Sequence, residues 1–139
     1  MKHLKLSFVV VSVILFMFTA CSKYEDGPEF TLLTKKARIT GEWQVDEVVV
    51  NGTALTEFDD YAGTMTFEKD GTGSYSNAGV TTEIEWEFSD DKEAVKVKMK
   101  FLGGWTDWTE TEILRLTNSE FWTIETTLGV TTEIHYTKL

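Results

Sequence analysis

An all-β fold, an eight-stranded antiparallel up-and-down β-barrel, follows from three features of the 139-residue sequence. Beyond Gly41, apolar and polar residues alternate with a period of two, the pattern of half-buried strands. Threonine is frequent there, as suits a pleated surface, and most connections between the alternating runs are short. No segment supplies the crossover helices that a parallel sheet needs. The expected strands are at about 41–51, 63–69, 72–77, 79–89, 94–101, 106–116, 121–127 and 130–138. Strands with one apolar face each leave no open edge if the sheet closes on itself.

Residues 1–20 stand apart from that body. Lys2 and Lys5 form a basic start, Leu6 to Phe18 is almost wholly apolar, and Thr19-Ala20 places small residues before Cys21. The apolar run is shorter than the ~20 residues a membrane-spanning helix needs, and the three-part arrangement is that of a secretory signal peptide. Phe18-Thr19-Ala20-Cys21 resembles the lipobox of bacterial lipoproteins. The resemblance implies cleavage before Cys21 and acylation of its thiol, chemistry that requires a thiolate nucleophile. Residues 21–31 then form a flexible tether, in which Gly27-Pro28 suits an extended linker, and Lys23-Tyr24-Glu25-Asp26 within it resembles the surface-export signal of Bacteroidota lipoproteins. The implied location is the outer membrane, with the protein lipid-anchored and surface-exposed.

Residues 32–139 make one domain. Leu32 to Ile39 reads as a short helical lead-in, with Leu32, Leu33 and Ile39 as apolar contacts. In the first strand Trp43 and Val45 share one phase and Val48 and Val50 the opposite one; a bulge near Asp46-Glu47 reconciles them. Glu68-Lys69-Asp70-Gly71-Thr72 fits a three-residue hairpin loop with Gly71 left-handed, which pairs Met65 with Tyr75 and Phe67 with Gly73. Next, Val80, Thr82, Ile84, Trp86 and Phe88 alternate with Thr81, Glu83, Glu85 and Glu87. Across a loop at 90–93, Glu87 faces Lys96, Glu85 faces Lys98 and Glu83 faces Lys100, while Trp86 meets Val97 on the other face. Slipping by one residue would invert both faces, so the lysine row is half of an ion-paired outer wall. Thr127-Leu128-Gly129 reads as a second three-residue loop, pairing Trp122 with Ile134. The six residues Gly79 to Ile84 recur at Gly129 to Ile134. Trp43, Trp86, Trp122, Phe67, Phe88, Phe101, Tyr75 and Tyr136 are expected to point mostly inward.

The chain carries 13 basic and 23 acidic side chains, a formal charge of −10. So acidic a body cannot neutralise phosphates, which excludes nucleic acid. A single Cys excludes an intramolecular disulfide and a multi-thiolate metal site. No cofactor or metal site is expected. Asp70-Gly71-Thr72-Gly73 lacks the alternating oxygen ligands of a calcium loop. His135 is placed on the outer face of the last strand, without a nucleophile beside it, so no catalytic residue is expected and the protein is read as non-enzymatic. Glu110 and Glu112 share parity with Trp108, Leu114 and Leu116. Two orientations are open: inward, where carboxylates demand a polar ligand or water, or outward through a bulge near Glu112-Ile113.

Gly41-Glu42-Trp43 opens the first strand as the G-x-W motif opens lipocalins, and the body resembles the lipocalin-like lipoproteins of Bacteroidota. In lipocalins an Arg from a late strand packs over that Trp; here Arg38 and Arg115 are the only arginines, and neither is on the last strand. The resemblance implies a monomeric binding module for a small apolar or amphipathic ligand at the barrel mouth. Connections in a meander alternate between ends, so Phe58 and Tyr61 in one loop and Trp105 and Trp108 in another fall at the same opening. With Glu110 and Glu112 they are the candidate binding residues. The alternative is a surface interaction or structural lipoprotein, with a filled barrel and a loop-borne interface for protein or glycan.

Overall fold

The computed structural model describes residues 32–139; the leader, Cys21 and the tether lie outside the described residues. A five-residue helix, α1 (Lys35–Ile39), precedes the sheet and is capped by the Thr34 hydroxyl, which accepts from the Ala37 amide at 3.1 Å. Eight long or medium strands follow: β1 (Gly41–Val50), β3 (Thr64–Phe67), β4 (Thr72–Asn77), β5 (Val80–Phe88), β6 (Ala94–Phe101), β8 (Thr109–Leu116), β9 (Glu120–Thr127) and β10 (Val130–Lys138). Two-residue strands β2 (Thr53–Ala54) and β7 (Gly104–Trp105) extend the hairpins after β1 and β6. All pairs are antiparallel, in chain order, and β10 pairs back onto β1 to close the barrel.

Charge and turn chemistry set the register as the alternation requires. Glu87 lies opposite Lys96, Glu85 opposite Lys98, and Trp86 opposite Val97. The outer row forms ion pairs: Lys96–Glu87 at 3.8 Å, Lys98–Glu85 at 2.5 Å and Lys100–Glu83 at 2.8 Å. Gly71 adopts φ +94°, and Met65 pairs with Tyr75 and Phe67 with Gly73. The β1 bulge falls between Val45 and Glu47. It lets Trp43 and Val48 both reach the core despite opposite parity.

The turn at the end of β9 differs from expectation. Thr127 pairs with Val130, so the loop is Leu128-Gly129 alone, with φ +52° and +80°. Two consecutive left-handed residues make the tight turn whose twist matches a hairpin. The register moves by one, and Trp122 therefore faces His135 rather than Ile134. Trp122 stands on the outer wall, stacked on His135 at 4.1 Å, not in the core. Phe101 is likewise exposed, at the tip of β6. Ala78-Gly79 has the same two-residue geometry. The repeated hexapeptide is thus one turn solution used twice, each copy placing a hydroxyl pair across its hairpin: Ser76 with Thr81, and Thr126 with Thr131.

The core fills one end. Trp43, Phe67, Trp86 and Phe121 interlock there through tilted and edge contacts of 5.3–6.0 Å. α1 stoppers this end with Ile39, while Leu32 and Leu33 are exposed. They lie ahead of α1, so its apolar face does not carry them inward. The Trp43 indole donates to the Ile39 carbonyl at 2.7 Å, and the buried Arg38 guanidinium donates to the Leu116 carbonyl at 3.0 Å. Over Trp43, at 5.0 Å, sits the ammonium of Lys138 from the last strand, which also donates to the Arg38 carbonyl. A lysine therefore covers the first-strand Trp, and burial lowers its pKa from the ordinary lysine range.

Candidate functional site

Tight turns and α1 close one end, and the longer connections 51–63 and 102–108 gather at the other. Between them the barrel encloses a cavity of about 310 Å³. Its β3–β6 side is apolar, with Met65, Phe67, Val95, Val97 and Met99, and Phe121 and Ile134 add apolar surface from β9 and β10. The β8–β10 side carries hydroxyls at the same depth, from Thr109, Thr111, Thr123 and Thr132, with Tyr136 deeper beside Phe121, Thr106 joining from the 102–108 connection and Glu125 at the exposed edge. Burial pushes the Tyr136 phenol up to about 12, partly offset by a hydrogen bond with Thr123 and reinforced by the nearby Glu125 carboxylate. The phenol thus stays protonated at neutral pH and has a proton to donate.

The wall has a seam. β8 and β9 pair from Leu116 and Phe121 up to Glu112 and Ile124. Above that level Thr109–Thr111 pairs with β6, and Glu125–Thr127 pairs with β10. The two half-strands diverge around a cleft of about 520 Å³ whose sides carry Glu110, Glu112, Ile124, Thr126 and Thr127. Thr109 and Glu125 line both cleft and cavity, so the two spaces adjoin.

The six candidate residues are not brought together. Glu110 and Glu112 point outward: Thr109 and Thr111 take the inner positions of β8, and the irregularity that reverses its phase lies between Ile113 and Arg115. Trp105 and Trp108 are on the outer wall, about two-fifths exposed, on either side of the Lys98 ammonium at 5.0 and 4.8 Å. Their position follows from pairing, since Trp105 lies opposite the outward-facing Lys100. Cation–π attraction draws both rings to Lys98. Phe58 is half-buried beside Gln44, Val45 and Asp46 at the β1 bulge, in a surface hollow separate from the cavity. Tyr61 is exposed on a single turn whose amide bonds to the Phe58 carbonyl at 2.8 Å.

Sequence reasoning missed the threonine-lined side of the cavity. Threonine has no strong inside preference, and Trp108, Leu114 and Leu116 advertised the opposite phase of β8. The usable signal was Ile113, buried and in phase with Thr109 and Thr111. His135 lies on the outer face as read, between Glu47 at 2.8 Å and Glu133 at 2.5 Å. No family model and no curated protein matches this sequence.

Proposed function

We propose that this protein is a non-enzymatic binding module, lipocalin-like in architecture, that takes a small amphipathic molecule into its barrel. One observation carries the reading: a cavity of about 310 Å³ with one apolar side and one hydroxyl-lined side. That volume is at the lower end of the ~300–1,000 Å³ of small-molecule sites, and such sites combine apolar walls with a few placed polar groups. The Cys21 lipobox supports anchoring to the outer membrane, with the barrel displayed from the tether. Two or more acyl chains would make that anchoring stable.

The test is a binding titration of unacylated protein with the neutral apolar fluorophore N-phenyl-1-naphthylamine. Saturable enhancement at one site per chain is expected, and Val97→Trp, which fills the cavity, should abolish it. Absence of binding to folded wild-type protein would sink the reading.

A second reading has its own observation. Leu102 and Leu128, 92% and 100% exposed, sit at hairpin tips at the open end with Phe101 close by. Exposed apolar tips suit a protein or glycan interface. Replacing both leucines by Asn should leave fluorophore binding intact, whereas loss of a partner in that variant would favour the interface.

A further inference from the structure

The charge of the cavity selects the head group of its ligand. Among its lining residues Glu125 is the one charged side chain, and none carries a positive charge. A carboxylate-headed amphiphile would therefore find no cation in the lining to receive it and would set its anion beside the like charge of Glu125. Like charges brought close together repel. A neutral head would be satisfied by the threonine hydroxyls; a cationic head would gain Glu125 as well.

The approach has the same sign. The β8–β9 cleft adjoins the cavity and carries Glu110 and Glu112 on its β8 side. Lys96 is opposite Glu110 in register, but its ammonium is directed at Glu87 on the other side of β6. Lys98 and Lys100 are held by Glu85 and Glu83. The lysine row thus leaves the cleft acidic. A negative cleft with low-dielectric walls concentrates cations at its mouth.

We propose that the ligand is a small alkylammonium-type amphiphile, admitted through the β8–β9 cleft, with its cationic head on Glu125 and its tail on the apolar β3–β6 side. The inference rests on the cavity being the binding site. The protonated Tyr136 hydroxyl and Thr123 border the path of the tail and offer hydrogen bonds to any polar substituent behind the head.

Three probes with one tail isolate the head: octylammonium, octanol and octanoate, titrated calorimetrically at neutral pH below micelle formation. Octylammonium should bind one per chain, about tenfold tighter than octanol, the size of one partly shielded ion pair, and octanoate should be the weakest. Glu125→Gln should bring octylammonium down to octanol, and Glu125→Lys should invert the order of the two ions. Octanoate binding as tightly as octylammonium would overturn the ligand class while leaving the cavity as a site. A preference unchanged in Glu125→Gln would overturn the role of Glu125. Failure of all three probes on folded protein would overturn the cavity reading together with this one.

Discussion

Two tryptophans separate what residue chemistry alone discloses from what register decides. Trp86 is buried, and its indole donates to the carbonyls of Glu68 and Thr72, both at 3.0 Å. Trp86→Ala should cost ~3–5 kcal/mol by chemical denaturation. Trp122, by contrast, stacks on His135 outside the barrel with Arg115 5.1 Å from its ring. Its truncation should cost only about 1–2 kcal/mol; equal losses would mean that Trp122 is a core residue after all. Both are aromatic residues on alternating strands, and nothing in their identity tells them apart. What does is the length of the 127–130 turn, where a leucine occupies a left-handed position that propensity assigns to Asn or Gly. Asn at position 128 should accordingly raise stability by ~1 kcal/mol, read as a higher melting temperature. Gly73 is constrained differently: a Cβ there would collide with the Thr66 carbonyl. Gly73→Ala should cost ~1–3 kcal/mol.

At the scale of elements, hairpins whose charges alternate were legible and strands rich in threonine were not. The β5–β6 register was readable because one slip breaks the ion pairs and inverts an apolar face together. In β8 the outward Glu110 and Glu112 and the inward Thr109 and Thr111 give a weak phase, and the Leu114-Arg115 irregularity reverses the visible one. The outer wall shows how elements are tied without burial. Arg115, Trp122, His135 and Glu47 lie in register across four strands, β8, β9, β10 and β1, and bridge the line of closure. Lys98 performs the equivalent task for the 102–108 connection, gripped by Trp105 and Trp108 and paired with Glu85. Lys98→Ala should therefore cost ~1–2 kcal/mol, more than an isolated surface ion pair, and should shift tryptophan emission to the red as both rings gain water. Unchanged emission would show that the rings hold their place without the lysine.

The barrel is asymmetric along its axis: an aromatic plug with α1 at one end, a cavity lined by hydroxyls on one side and a side cleft at the other. The up-and-down order makes that asymmetry predictable, because odd-numbered and even-numbered connections must fall at opposite ends. The longer connections mark the open end in the sequence; which residues line the cavity beneath it depends on where the large rings pack, and the register reveals that. The cavity also leaves a mark on pH dependence. The folded pKa of Tyr136 is about 12 against an ordinary 10.0. Folding therefore favours the protonated phenol, so the stability it contributes is present below pH 10 and is lost as pH rises toward 12. Tyr136→Phe should remove that alkaline decline. The anchor is tested separately: Cys21→Ala should abolish incorporation of labelled palmitate and membrane association. The binding claim is tested most directly by native mass spectrometry of unacylated protein purified from its expression host. A single small-molecule adduct per chain, absent from folded Val97→Trp, is the predicted result; an identical adduct on the filled variant, or a bare wild-type chain that also fails to bind the fluorophore, would contradict it.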